Sequence, residues 1–87
     1  MKNILFTLAL LISFSSFGQT AKEYFNSGIS KSKLKDYYGA ISDYTKSIEL
    51  NPNFASTYYN RGNSKKKLKD YYGAIADYTK AIELNPN

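Results

Sequence analysis

The sequence predicts an all-α fold of two tandem helix-turn-helix hairpins, and three observations lead there. Residues 33–53, KLKDYYGAISDYTKSIELNPN, recur 34 residues later at 67–87 as KLKDYYGAIADYTKAIELNPN, with 19 of 21 positions identical. Within each copy apolar residues return at three- and four-residue steps, the period of a helix buried along one side. Each copy also closes on Asn-Pro, at Asn51-Pro52 and Asn85-Pro86, where proline cannot continue a helix. The preceding halves keep the register more loosely, through Ala21/Ala55, Tyr24/Tyr58, Asn26/Asn60, Gly28/Gly62, Ser30/Ser64 and Lys31/Lys65.

The first element is a leader. Met1, Lys2 and Asn3 precede an uncharged run from Ile4 to Phe14, ILFTLALLISF. As a helix these residues reach about 16 Å, half of a hydrocarbon core of about 30 Å, so a membrane span is disfavoured. Ser16 and Gly18 then put small residues before a cut ahead of Gln19, the pattern of an export signal over residues 1–18 that is removed. An uncleaved anchor is the competing reading; a lipoprotein anchor is excluded because no Cys follows. Cleavage implies a periplasmic or secreted protein without stable membrane insertion. It also leaves about 69 residues to build a core, without disulfides to help.

Each copy then divides in two. Thr20-Ala21-Lys22-Glu23 is a capping-box pattern that starts the first helix, and Asn53 is expected to cap its counterpart. Asp36 and Asp70 stand where N-caps belong for the second helices. In those helices Ala40, Ile41, Tyr44 and Ile48, and Ala74, Ile75, Tyr78, Ala81 and Ile82, make one apolar stripe. Asp43 and Asp77 are expected on an exposed face. The units run 21–53 and 54–87.

These residues carry a family resemblance. A 34-residue period with an aromatic at Tyr24/Tyr58, Gly28/Gly62, Ala40/Ala74, an aromatic at Tyr44/Tyr78, Ala81 and Pro52/Pro86 resembles the tetratricopeptide repeat (TPR) over essentially all of residues 21–87. The resemblance implies a fragment of a right-handed α-solenoid, in which Gly28 against Ala40 and Gly62 against Ala74 let paired helices approach. Departures fall at Ser27/Arg61 and Lys31/Lys65, where the family often has large apolar residues, and at Ser47 in place of Ala. They are expected to weaken packing. Gly39 and Gly73 sit in first turns, where Ala would be better by about 1 kcal/mol, and nothing in the sequence accounts for them.

The resemblance further implies that the first helices line a concave groove for an extended peptide or a partner helix. Helical spacing then selects Lys22, Phe25, Asn26, Ile29 and Lys33, with counterparts Ser56, Tyr59, Asn60, Asn63 and Lys67. This mixture of aromatic, amide and ammonium groups suits a peptide with an apolar anchor and a carboxylate. The competing reading makes Phe25 and Ile29 core. The family's carboxylate clamp is only partly matched, by Asn60, because Phe25 stands where a Lys is needed. The basic runs Lys31, Lys33, Lys35 and Lys65, Lys66, Lys67, Lys69 close the first helices, where cations offset the helix dipole by about 0.3–1 kcal/mol. They also suit acidic partners, anionic lipid or wall polymers. Nucleic acid is not an expected partner, since most Tyr residues fall at packing positions of an exported chain.

Catalysis is not expected. The 87 residues, formally +5 from 12 Lys/Arg and 7 Asp/Glu, contain neither His nor Cys. This removes the usual general base, thiol nucleophile and soft metal ligands. No phosphate loop or metal spacing occurs, so neither cofactor nor metal is expected. The last element poses a different problem, because two repeats are few for a solenoid, where about three are usual. No later helix covers Tyr78, Ala81 and Ile82, and the second copy is the more apolar, with Ala76 and Ala81 for Ser. The expectation is self-association through this open end, a partner seated on it, or continuation as a longer array.

Overall fold

Three of the four described helices begin at a capping side chain. The computed structural model describes residues 20–86; the leader expected over 1–18 and its cut ahead of Gln19 lie outside the described residues. Four helices follow: α1 (Ala21–Lys33), α2 (Tyr37–Leu50), α3 (Ala55–Lys67) and α4 (Tyr71–Leu84), with no strand among the described residues. Thr20 Oγ1 accepts from the Glu23 amide at 3.1 Å while Glu23 Oε1 accepts from the Thr20 amide, a complete capping box. The Asp36 and Asp70 carboxylates each accept an amide three residues on, from Gly39 and Gly73, at 3.0 Å. These contacts account for both glycines. A Cβ on either would collide with the capping carboxylate, so Ala would gain helix propensity only by displacing the cap.

Asn53 does not cap α3. Its amide donates to Asn51 Oδ1 at 3.2 Å, closing a turn around Pro52. Phe54 takes the cap position without a side-chain hydrogen bond, and its ring lies edge-on to Phe25, with centroids 5.3 Å apart. The site exchanges a polar cap for aromatic packing. At the other ends, α1 and α3 close in matching Schellman turns: Asp36 and Asp70 amides reach the Lys31 and Lys65 carbonyls at 2.8 and 2.9 Å. The left-handed residue, usually Gly, is Lys35 in one turn and Lys69 in the other, with φ of 63° and 66°.

Links of three, four and three residues fold successive helices back on one another. Helix α1 packs on α2, α3 on α4, and α2 on α3, so two hairpins stack in chain order. Ala40, Tyr44, Tyr58, Ala74 and Ala81 form the buried apolar core. The small residue of each first helix faces a ring. A Cβ on Gly28 would lie 2.5 Å from Tyr44 Cε1, and one on Gly62 2.9 Å from Tyr78 Cε1. For Gly28 the nearest atoms are those of the Tyr44 ring, while Gly62 also approaches the Ala74 carbonyl, the counterpart of Ala40.

The expectation for Asp43 and Asp77 is overturned. They are only 7% and 4% exposed, and the residues that depart from the family pattern surround them. Ser27 Oγ donates to Asp43 at 2.6 Å and Lys31 Nζ lies 3.0 Å away. Arg61 grips Asp77 with two hydrogen bonds of 2.8 and 2.7 Å, and Lys65 Nζ stands 3.1 Å from it. Ser27, Lys31, Arg61 and Lys65 thus do not merely weaken the first helices. Each neutralises or hydrogen-bonds a carboxylate that a purely apolar neighbourhood would leave stranded. Burial pushes both carboxyls up, but hydrogen bonds and charge from Ser27 and Lys31, or from Arg61 and Lys65, outweigh it and hold them below the usual 3.8. Ser47 is likewise useful: its buried hydroxyl donates to the Ala21 carbonyl at 2.7 Å, joining the end of α2 to the start of α1.

Candidate functional site

The face of α1 and α3 selected by spacing does not form one uniform groove. In α1, Lys22, Asn26 and Lys33 are exposed, whereas Phe25 and Ile29 are half-buried. Phe25 lies between Tyr44, centroids 6.1 Å apart, and Phe54. The ring belongs to the packing and is half-buried. In α3 the counterpart, Tyr59, has no such cover and is 54% exposed. Its ring lies tilted against Tyr78 at 5.6 Å.

Tyr59, Asn60, Asn63 and Ser56 of α3 share an open concavity of about 800 Å³ with Tyr78, Ala81 and Ile82 of α4 and with Asn85, which caps it. The sequence reading kept the groove and the open end apart; the fold makes them walls of one depression. Lys66, absent from the expected set, also lines it. Lys67 instead borders a smaller hollow with Lys69 and Tyr71. The signal for Lys66 was available, since it lies three residues beyond Asn63 on the same helical face.

The two amides are already partly engaged. Asn60 Nδ2 donates to the Ser56 carbonyl one turn back at 2.9 Å, and Asn63 Oδ1 accepts the Tyr78 hydroxyl. Burial and the neighbouring Tyr59 raise the Tyr78 phenol above its ordinary range, so it remains a donor at neutral pH. A ligand in the concavity meets one aromatic wall, one aliphatic wall ending at Ile82, and a cation at Lys66. This is an arrangement for holding a side chain or a helix face; among the described residues no cluster suited to a metal ion occurs.

The repeat supplies an internal control for the open end. Ile41 and Ile48 of α2 are half-buried, but their counterparts Ile75 and Ile82 of α4 are 59% and 63% exposed. The local sequences are almost identical. Helix α3 packs on α2, and no described helix packs on the corresponding side of α4. Of the three residues expected at the open end, Ile82 is exposed, Tyr78 half-buried and Ala81 buried against its own hairpin.

Comparison with known proteins agrees with the fold of two helical hairpins. The tetratricopeptide repeat family model matches residues 21–54 and again 55–87. No curated protein matches the sequence. Among solved structures, the crystal structure of MamA superposes with a TM-score of 0.77 at 26% identity, covering 78% of this chain and 40% of that one. The chain thus spans well under half of that relative.

Proposed function

Because the chain belongs to the tetratricopeptide repeat family, whose repeats generally serve protein–protein interaction, we propose that it is an exported, non-enzymatic interaction module. Its ligand is an extended peptide or partner helix held against the first helix of each repeat. The observation that carries this reading is the exposed Tyr59, which with Asn63 lines a depression large enough for several side chains. Phe25, its counterpart, is taken up by Phe54. Recognition is therefore concentrated on α3, with Lys22, Asn26 and Lys33 of α1 contributing polar contacts at the far end. The export component rests on the uncharged run Ile4–Phe14 and the small residues Ser16 and Gly18.

Two measurements test this. The Tyr59→Ala, Asn63→Ala double variant should retain its helical circular dichroism yet lose at least tenfold in affinity for a cross-linked and identified partner. Undiminished capture by the double variant would remove the groove from consideration. N-terminal sequencing of protein recovered outside the cytoplasm should begin at Gln19. A mature chain still carrying Met1 would overturn export by cleavage.

A further inference from the structure

The first hairpin shows what fills a depression of this kind. Tyr59, Asn63, Tyr78, Ala81 and Ile82 have as counterparts Phe25, Ile29, Tyr44, Ser47 and Ile48. In the first copy that surface is occupied. Phe54 lies on Phe25, and α3 packs along α2. Two hydrogen bonds cross the junction: the Tyr58 hydroxyl donates to the Pro52 carbonyl at 2.9 Å, and Arg61 Nη1 to Thr45 Oγ1 at 3.2 Å. Thr57 and Ser64 of α3 are fully buried, whereas Glu23 and Ser30, their counterparts on α1, are exposed. Helix α2 of the preceding hairpin packs on α3, whereas α1 packs on its own hairpin partner α2 with no preceding hairpin among the described residues, so Thr57 and Ser64 mark the side of α3 that enters the junction.

The acceptors used in that junction recur on the open copy, as Thr79 and Pro86. We propose that the depression between α3 and α4 is a seat for one amphipathic helix of another polypeptide, docked as α3 docks on the first hairpin. This rests on the interaction reading above and names its partner by chemistry. The incoming helix carries an aromatic ring at its start, a small hydroxyl residue three positions on followed directly by Tyr, a cation three further on, and a small residue after that. It brings no carboxylate on that face. The established α2–α3 junction is the template for each requirement.

A second copy of this chain does not meet them. Among the described residues the comparable element with no preceding hairpin against it is α1, which would bring Thr20 where Phe54 belongs and the Glu23 carboxylate where the buried Thr57 belongs. A desolvated carboxylate without a cation is strongly disfavoured. Glu23 thereby discriminates against end-to-end polymerisation, the hazard of a heterologous contact between repeat ends.

The test uses a synthetic peptide with the sequence of residues 53–68, titrated into the labelled protein and followed by NMR. Saturable binding is expected, with shifts at Tyr59, Asn63, Tyr78 and Ile82. Ile82→Lys in the protein, or a Thr57→Glu change in the peptide, should weaken it at least tenfold. Ser42→Ala, at an exposed position of α2 outside the depression, should leave it unchanged. Three results would overturn the proposal: no saturable binding, binding indifferent to Ile82→Lys, or concentration-dependent oligomers of the protein alone that cover Ile82. Because the peptide titration is independent of the natural partner, peptide failure with intact sensitivity of that partner to Tyr59 and Asn63 removes only the helix seat. Loss of the natural partner's sensitivity would instead remove the broader reading.

Discussion

At Asp77 a carboxylate is buried with Arg61 and Lys65 beside it, and removing it leaves the Arg61 guanidinium largely enclosed without its acceptor. Asp77→Ala is therefore expected to destabilise the fold by about 3 kcal/mol in chemical denaturation, the range for breaking a buried pair. Asp43→Ala should cost less, because its cation Lys31 is two-fifths exposed and solvent already screens the pair. Both carboxyls titrate below their ordinary value in the folded state, so their contribution is complete above the unfolded value near 3.8 and is lost as pH falls through the lower folded values. A melting series should show acid destabilisation beginning near pH 4 in the wild type, and a shallower slope in Asp77→Asn. A second residue-scale prediction concerns Lys69, held at φ 66° in its Schellman turn. Lys69→Gly should raise stability by about 1 kcal/mol, since only the side chain makes that conformation costly. An unchanged or lower melting temperature would contradict the assignment.

Between helices the instructive contrast is how α1 and α3 start. Helix α1 has a reciprocal capping box at Thr20 and Glu23, whereas α3 begins at Phe54 with no side-chain cap and relies on the ring's contact with Phe25. Thr20→Ala should cost about 1 kcal/mol and increase amide exchange in the first turn of α1. Asn53→Ala, despite the residue's polar cap chemistry, should change stability by less than about 0.5 kcal/mol. Sequence alone made Asn53 the better candidate, because Asn is favoured as a cap and Phe is not. Tertiary packing reversed that preference, since the Asn51-Pro52 turn aims Phe54 into the first hairpin.

For the whole chain, identical segments acquire different roles from their place in the stack. Ile48 and Ile82 sit in the matched contexts KSIEL and KAIEL, but α3 covers the first and not the second. Ile48→Ala is expected to destabilise by about 2 kcal/mol, and Ile82→Ala by less than about 0.5 kcal/mol. Equal losses would mean that the end of α4 is covered in solution. The helices, both Asp caps, the capping box and the hairpin pairing were all legible, because each depends on neighbours within a turn or two, or on the 34-residue period. The candidate groove was legible as a helical face, but its depth was not. Depth arises where α3 meets α4, and spacing along one helix carries no information about the second wall.

The amino-acid order by itself determined four helices, where they stop, and the doubling of one hairpin, since backbone capping and apolar periodicity are local properties. Only the tertiary structure decided that Asp43 and Asp77 lie buried among cations, that Phe54 replaces a polar cap, and that Tyr59 and Ile82 stay open while Phe25 and Ile48 are covered. Those outcomes depend on which helix lies alongside, and two nearly identical stretches of sequence cannot encode different neighbours.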